Sequence, residues 1–176
     1  MSGSKIQSLR DACVSFIQSC NFSDTALALE PFSTRECEAQ RVPLSCFEPF
    51  LTTTVQMLTS HGSTPMAEAM DFVLQTYSLT RAVLVSDGQP DSEESVYEVA
   101  SRYREASLPC DCVHIGDSTD GEACLRKVAE MTGGQYIKFT DITSFSRSFK
   151  YLTPAFYGQL TSGGVTAAQL GAKEIK

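Results

Sequence analysis

The stretch Ala82-Val83-Leu84-Val85-Ser86-Asp87-Gly88 decides the fold of this chain. It begins with a continuous apolar run bounded by turn residues, which is typical of a parallel strand buried on both faces. Ser86, Asp87 and Gly88 then form a polar turn at the carboxyl end of that strand. Open α/β sheets bind their ligands outside the carboxyl ends of strands. The stretch therefore predicts a buried strand that leads into a candidate binding loop.

Strand-like and helix-like segments alternate along the chain, and this order predicts an α/β domain with a doubly wound, mostly parallel sheet and helices on both faces. The predicted helices are Lys5–Cys20, Phe47–Ser60, Pro65–Tyr77, Ser92–Ser107, Gly121–Met131 and Ile142–Tyr151. The predicted strands are Thr25–Phe32, Arg41–Leu44, Arg81–Ser86, Asp111–Gly116 and Gln135–Phe139. Pro43 favours an edge position for the second strand, because proline cannot donate to a central ladder. We expect one domain over residues 1–154 and a tail over residues 155–176.

Composition narrows the classes of function. The net charge is −7 and no Lys/Arg cluster occurs, so nucleic acid is not expected as a partner. No apolar run reaches the roughly 18 residues that span a bilayer, and the first residues do not form a signal peptide. We therefore expect a cytoplasmic protein without membrane contact. The 7 cysteines are an odd number without an export signal, which favours reduced thiols. Cys110 and Cys112 should share one strand face.

A second loop, Gly62-Ser63-Thr64-Pro65-Met66, immediately precedes an apolar predicted helix. Ser63 and Thr64 offer hydroxyl groups, Ser86 offers another, and Asp87 offers a carboxylate. A set of oxygen ligands suits Mg²⁺, Ca²⁺ or Mn²⁺ rather than zinc or copper. Each loop alone is ordinary, because Asp-Gly after a strand is usually a turn and Thr-Pro is usually a helix start. The two loops in this order are together a stronger indication of a metal site.

These segments resemble the von Willebrand factor A (vWA) domain family. The resemblance extends from Met1 to about Leu152 and rests on four segments: Met1-x-Gly3-x-Lys5, Gly62–Met66, Val83–Gly88 and Gly133-Gly134-Gln135-Tyr136. It implies a metal-ion-dependent adhesion site at the carboxyl edge of the sheet. In that site Thr64 would ligate the ion and Asp87 would bind it directly or through water, with Ser63, Ser86 and Gly88 at the periphery. It also implies a protein-binding module in which an acidic side chain of the partner completes the metal shell.

The chain departs from the family pattern at its start. The family's first and central strand ends in Asp-x-Ser-x-Ser, which supplies one Asp and two Ser ligands, and none of them occurs here. Ser2 and Ser4 match positions after that motif. A shifted register that ends the motif on Ser2-Gly3-Ser4 leaves no Asp and removes the helix-entry match. We therefore expect that the natural reading frame starts upstream, with a degenerate copy or a strand supplied by another chain as alternatives.

Loss of a central strand affects both stability and metal binding. About four or five core side chains at about 1.5–3 kcal/mol each would be lost, which is comparable to the net stability of a domain. Two remaining protein ligands would hold Mg²⁺ weakly or not at all, because this ion gives up its waters reluctantly. The chain is therefore expected to be marginally stable, self-associating or rearranged.

The leading hypothesis is a protein-interaction module of the vWA type with an incomplete adhesion site, and not an enzyme. The alternatives are an enzyme that uses Asp87 for metal-assisted or phosphoryl-transfer chemistry, and a structural remnant without a ligand. The chain has no glycine-rich phosphate loop and no Gly-x-Ser-x-Gly elbow, which disfavours the enzyme.

Two geometric expectations test the resemblance. Thr25–Leu29 and Arg81–Ser86 should belong to one parallel sheet, with either a gap or direct pairing between them, and placement in different sheets would refute the resemblance. Thr64 and Asp87 should approach each other at the carboxyl edge of the sheet.

Overall fold

The computed structural model describes residues 4–33, 41–59 and 62–139. Its helices are α1 (Ser4–Ser19), α2 (Glu48–Met57), α3 (Met66–Thr76), α4 (Glu93–Glu105) and α5 (Thr119–Thr132). Its strands are β1 (Leu27–Leu29), β2 (Val42–Ser45), β3 (Ala82–Ser86), β4 (Cys110–Ile115) and β5 (Tyr136–Phe139). The predicted helix Ile142–Tyr151, the helix entry at Met1 and Gly3, and the tail over residues 155–176 lie outside the described residues.

The strands form two separate ladders. β3, β4 and β5 form a parallel sheet in that order, and β1 pairs antiparallel with β2. The prediction of one parallel sheet that contains both β1 and β3 is therefore wrong. Within the described ranges, no strand pairs with β3 on the edge away from β4. β1 pairs with β2, the next strand along the chain.

Helices cover both faces of the parallel sheet. On one face, Leu84 of β3 belongs to a core with Val96 of α4 and Leu125 of α5. On the other face, Phe16 of α1 packs in a second cluster with Val113 of β4. This alternation of faces along each strand, together with the βαβ order, confirms the predicted α/β architecture. No helix in the described part of the chain is long and apolar enough to cross a membrane.

Local sequence signals set the ends of the later helices. Ser92 is the N-cap of α4, and its hydroxyl accepts a hydrogen bond from the Ser95 N–H at 3.2 Å. α5 ends at Gly133, which has a φ of +75° in the left-handed region. A Cβ on Gly134 would lie 1.9 Å from the Cys110 carbonyl oxygen, so only glycine allows the chain to pass this close to β4. Cys110 and Cys112 are both buried in the same core cluster, which confirms their shared face.

A buried ion pair fixes the amino-terminal edge of the parallel sheet. The Asp111 carboxylate is fully buried and accepts two hydrogen bonds from the Arg81 guanidinium, at 2.5 and 2.7 Å. The same carboxylate accepts from the Gln135 N–H at 2.7 Å. One side chain of β4 thus connects the residues that lead into β3 and into β5. The opposite, carboxyl-terminal edge is left for the loops that carry the candidate site.

Candidate binding edge of the sheet

The last residue of β3 and the loop after it contain three of the predicted site residues, and local hydrogen bonding sets the shape of the turn. The Ser86 hydroxyl is buried and accepts a hydrogen bond from the Gly88 N–H at 3.0 Å. This bond closes a tight turn of the kind that serine side chains form with the backbone two residues on. Gly88 has a φ of +81°, a conformation that favours glycine. Asp87 lies between them at the turn and is half-buried.

The same loop rests directly on the first turn of α5. A Cβ on Gly88 would lie 2.3 Å from the Gly121 carbonyl oxygen, and a Cβ on Gly121 would lie 2.2 Å from the Asp87 carbonyl oxygen. Both distances are far shorter than any tolerated contact, so two facing glycines are needed for this approach. This close contact sets the position of the Asp87 backbone relative to the first turn of α5.

A side chain of β4, His114, forms a hydrogen bond with the Asp87 backbone. Its Nε2 lies 3.1 Å from the Asp87 carbonyl oxygen, and its Nδ1 lies 3.2 Å from the Tyr136 hydroxyl. A carbonyl oxygen only accepts, so Nε2 carries the hydrogen and Nδ1 accepts from the tyrosine. Burial lowers the pKa of His114 below its usual 6.5, although the bond to Asp87 and the nearby Glu122 carboxylate act in the opposite direction. The ring is therefore neutral, and it connects the loop to β4 by a hydrogen bond.

The loop before α3 is attached to the loop after β3 by a reciprocal pair of hydrogen bonds. The Thr64 N–H donates to the Asp91 carboxylate at 2.9 Å, and the Asp91 N–H donates to the Thr64 carbonyl oxygen at 3.1 Å. Asp91 lies four residues after Asp87, so Thr64 is held at the same carboxyl edge of the sheet. Thr64 is half-buried, and Ser63 beside it is exposed. The structure thus ties the Thr64 loop to the segment after the Asp87 turn through one hydrogen bond to a side chain and one between backbone groups.

Several residues that shape this edge were missed by the sequence analysis. Asp91 carries no motif, because an Asp before a helix N-cap is common. Gly121 follows Asp120 as an ordinary residue of a helix first turn. Gln89 donates from its amide to the Ser118 hydroxyl at 3.1 Å, which ties the loop to the one after β4. No local pattern marks these contacts, since each depends on the parallel alignment of β3 and β4.

A positive charge also lies at this edge. The ideal Cβ position of Gly116, just after β4, is 3.1 Å from both Cε and Nζ of Lys5. The ammonium group at the start of α1 therefore lies at the carboxyl end of β4. A positive charge there favours a negatively charged ligand and disfavours a cation.

The described residues do not fit a complete site for the hard cation that the resemblance implies. The oxygen chemistry is suitable in kind, since Thr64 and Asp87 offer a hydroxyl and a carboxylate. The number of ligands is too small, and no group of three or more His, Cys, Asp or Glu residues in the described ranges could hold a metal ion. Asp91 is committed to the Thr64 N–H, and Ser86 to the Gly88 N–H. These residues form a polar edge and only part of a metal shell.

The chain was compared with known proteins at three levels. No family model matches the sequence, and no curated protein matches it. Two solved structures share its fold. An aerotolerance-related membrane protein from Bacteroides fragilis, solved with multiple mutations to serine, has a TM-score of 0.68 at 9% identity over 82% of this chain and 86% of that chain. The conserved hypothetical protein BatB from Bacteroides thetaiotaomicron has a TM-score of 0.66 at 10% identity over 84% of this chain and 86% of that chain.

Proposed function

From this vWA-like α/β fold, supported by the likeness to both solved structures, we propose that the chain is a protein-binding module that uses the carboxyl edge of its parallel sheet. The observation that carries the proposal is the reciprocal bonding of Thr64 and Asp91, which ties the Thr64 loop to the segment that follows Gly88. Carboxyl edges of open α/β sheets are where such folds bind their ligands.

An acidic side chain of the partner protein is the group that suits this edge. Lys5 supplies a positive charge beside Gly116, and the Ser63 and Thr64 hydroxyls can donate to a carboxylate oxygen. Metal binding is proposed to be weak in this chain, because one carboxylate and one hydroxyl are a poor inner shell for Mg²⁺. Binding rather than catalysis is proposed because His114, the only described histidine, is buried with both ring nitrogens hydrogen-bonded.

Peptide selection tests the binding edge. Peptides selected from a displayed random library on the full chain should be enriched in Asp or Glu, and their affinity should fall about tenfold or more on Lys5→Gln, by the loss of about 1.4 kcal/mol of charge-assisted bonding. Lys127→Gln is the matched control, because Lys127 is an exposed lysine of α5 away from this edge. Peptides without an acidic residue, or equal losses in the two variants, would contradict the proposal.

Thermal unfolding with Mg²⁺ and with chelator tests the metal part. The chain should gain little stability from Mg²⁺ below millimolar concentration. A version that carries an added N-terminal apolar strand ending in Asp-x-Ser-x-Ser should gain more, because a ligand that binds only the native state stabilises it. Asp87→Ala should remove that gain, whereas Glu130→Ala, an exposed acid elsewhere on α5, should keep it. A large Mg²⁺ effect on the unextended chain would contradict the incomplete site.

A further inference from the structure

Helices α4 and α5 end in the same pattern of hydrogen bonds. After α4, the Ser107 N–H donates to the Arg104 carbonyl oxygen at 3.0 Å, and the Leu108 N–H donates to the Tyr103 carbonyl oxygen at 2.9 Å. After α5, Gly133 and the residue that follows it donate in the same way, three and five residues back, at 3.4 and 2.9 Å. These are the bonds of a Schellman motif, which places one residue in the left-handed conformation. That residue is a glycine after α5 and a serine after α4.

Serine is an unfavourable residue in this conformation. Ser107 has a φ of +55°, and within the described ranges every other residue with a positive φ is a glycine. A residue with a Cβ atom is strained in the left-handed region, whereas glycine is not. Backbone outliers of this kind are concentrated at functional sites. The group that serine offers and glycine lacks is a hydroxyl, and Ser107 is exposed to solvent.

Two arginines precede this hydroxyl at a defined spacing. Arg102 and Arg104 lie five and three residues before Ser107, and no other serine or threonine of the chain has an arginine three residues before it. Both arginines are exposed. Arg102 forms an ion pair with Asp71, which is open to solvent, so the pair contributes little and is easily exchanged. Arginines at these two positions are the pattern that arginine-directed protein kinases select through carboxylates in their substrate cleft.

We propose that Ser107 is a phosphorylation site for a protein kinase that selects arginine three and five residues before the acceptor. The co-reactant is ATP with Mg²⁺. The Ser107 Oγ forms a bond to the γ-phosphorus, the bond from that phosphorus to the oxygen bridging to the β-phosphate breaks, and ADP leaves. The hydroxyl proton passes to the catalytic aspartate of the kinase. The product carries a phosphoserine at the end of α4, with a charge of about −2 at neutral pH.

The fold presents Ser107 on a short exposed segment. Residues 104–107 are all exposed, whereas Tyr103 and Leu108 on either side are buried. Backbone hydrogen bonds at the end of α4 hold this segment in place. Helix ends open locally at a small cost in free energy, so the turn before Ser107 can extend into the cleft of a kinase. We therefore expect the folded chain to be modified more slowly than an unstructured peptide of the same sequence, but at the same residue.

This proposal does not rest on the proposed function. Ser107 precedes β4, at the amino-terminal edge of the parallel sheet, whereas Thr64 and Asp87 belong to the opposite edge. The acidic partner proposed for that edge takes no part in the reaction at Ser107. Loss of acidic-peptide binding would leave phosphorylation unchanged, and the reverse also holds.

The test incubates the full chain with Mg²⁺, ATP and the catalytic domain of an arginine-directed protein kinase of the AGC class. Mass spectrometry of the digested product should place the phosphate on Ser107. A synthetic peptide of residues 100–110 is the unstructured reference, and it should be phosphorylated at the same serine. Arg104→Gln should lower kcat/KM for the chain by about tenfold or more, because a charge-assisted contact to the kinase is lost. Lys127→Gln is the matched control, since it removes one exposed positive charge of α5 outside the spacing.

Ser107→Gly removes the acceptor without a cost to folding. Glycine is the favoured residue at a φ of +55°, so this variant should unfold at the same temperature as the parent chain or at a higher one. It should take up no phosphate at this position. A folding defect therefore cannot imitate the loss of the acceptor, because the variant is at least as stable as the chain that carries it.

Four outcomes would overturn the proposal. Phosphate on other residues of the chain, with Ser107 unmodified, would show that the two arginines do not direct the kinase. Equal rates for Arg104→Gln and Lys127→Gln would show the same. Phosphorylation of the peptide but not of the folded chain would show that the end of α4 does not open to a kinase. A lower unfolding temperature for Ser107→Gly would show that the hydroxyl is kept for stability and not for modification.

Discussion

The part of the molecule built on β3, β4 and β5 and the part built on β1, β2 and α2 are stabilised in different ways. In the first part, a fully buried carboxylate joins the strands, and facing glycines let a loop and a helix touch. In the second part, a three-residue strand and a four-residue strand rest on α1 and α2, and large apolar side chains stay in contact with solvent, among them Phe47 at 63% and Met57 at 64% exposure. The comparison shows that two parts of one chain can be stabilised by different kinds of contact. In the first part the strands themselves are joined by a buried side chain, whereas the second part combines apolar burial with an ion pair, Glu30–Arg41, that is partly open to solvent.

The largest expected effect is that of breaking the polar contacts of the first part. Asp111→Asn removes the charge that pairs with Arg81 and leaves a buried site with mismatched donors. The free energy of unfolding should decrease by about 3–5 kcal/mol, because one partner of a buried pair is left uncompensated. Urea denaturation followed by circular dichroism measures this loss.

Glu30→Gln is the matched change in the second part. Glu30 pairs with Arg41 at 2.6 Å, but the Arg41 side chain is 32% exposed and also lies over the Phe72 ring. The loss should be smaller than for Asp111→Asn, since the Phe72 ring still stabilises the Arg41 guanidinium, whereas Asp111 also accepts from the Gln135 N–H. Equal losses in the two variants would show that the two parts are held by polar contacts of similar strength, against the comparison.

The second prediction compares apolar truncations in the two parts. Leu125 of α5 and Leu51 of α2 are both 0% exposed. Replacement of a buried leucine by alanine costs about 2–5 kcal/mol, and less where the surroundings can close around the cavity. Leu125→Ala should fall at the upper end of this range and Leu51→Ala at the lower end. Chemical denaturation of both variants gives the two values, and a larger loss for Leu51→Ala would reverse the ranking of the two parts.

The third prediction concerns the contact between the Asp87 loop and α5. Gly121→Ala places a methyl group 2.2 Å from the Asp87 carbonyl oxygen in the present structure, so the loop must move. The free energy of unfolding should decrease by about 1–3 kcal/mol, as for other overpacked sites. The backbone NMR signals of residues 86–91 should shift, while those of α2 in the second part should not.

Gly133→Ala is the control for this change. A Cβ there meets nothing within 4 Å, but the φ of +75° is unfavourable for alanine. A loss of about 1–2 kcal/mol is expected from backbone strain alone, without shifts in residues 86–91. If Gly121→Ala left those signals in place, the two glycines would not set the position of the Asp87 loop.

The sequence predicted the first part better than the second, for a physical reason. The apolar run over residues 82–85 and the helix signals at Ser92 and Gly133 are local, and each specified its own element. The partner of a strand is not local. The run Ala26-Leu27-Ala28-Leu29 correctly indicated β1, but its antiparallel pairing with β2 depends on which strand edges lie within reach. The error in the sheet prediction therefore came from pairing and not from element type.

The candidate site shows the same difference between local sequence signals, which were found, and long-range contacts, which were not. The loops that contain Thr64 and Asp87 were found from their residue types and order. Their attachment to each other by Asp91, and the support of Asp87 by Gly121 and His114, were not found. These contacts link residues that are 27 to 34 positions apart, and only the alignment of β3, β4 and α5 brings them together. The ligating roles of Thr64 and Asp87 stay predictions.

The smallest expected effect is a pH dependence that belongs to the first part alone. Burial lowers the pKa of His114 in the folded chain below the 6.5 of an unperturbed histidine. As the pH decreases through 6.5, the unfolded chain takes up a proton that the folded chain does not yet accept, so protonation favours unfolding. The free energy of unfolding should therefore be largest above pH 6.5 and decrease below it.

His114→Gln separates this term from other titrations. An amide can still donate to the Asp87 carbonyl oxygen but does not titrate, so the slope between pH 6.5 and 4.5 should become shallower. Glu122 acts mainly at the lower end of this window and below it, because the unfolded carboxylate takes up a proton near pH 4.5 while Lys138 and Arg126 lower its pKa in the folded chain to about 2. Hydrogen exchange at pH 5 should show faster opening in residues 87–91 of the parent chain, with α2 unaffected. If both proteins lost stability with the same slope, or if α2 opened first, the neutral ring of His114 would not be what holds the Asp87 loop on the sheet.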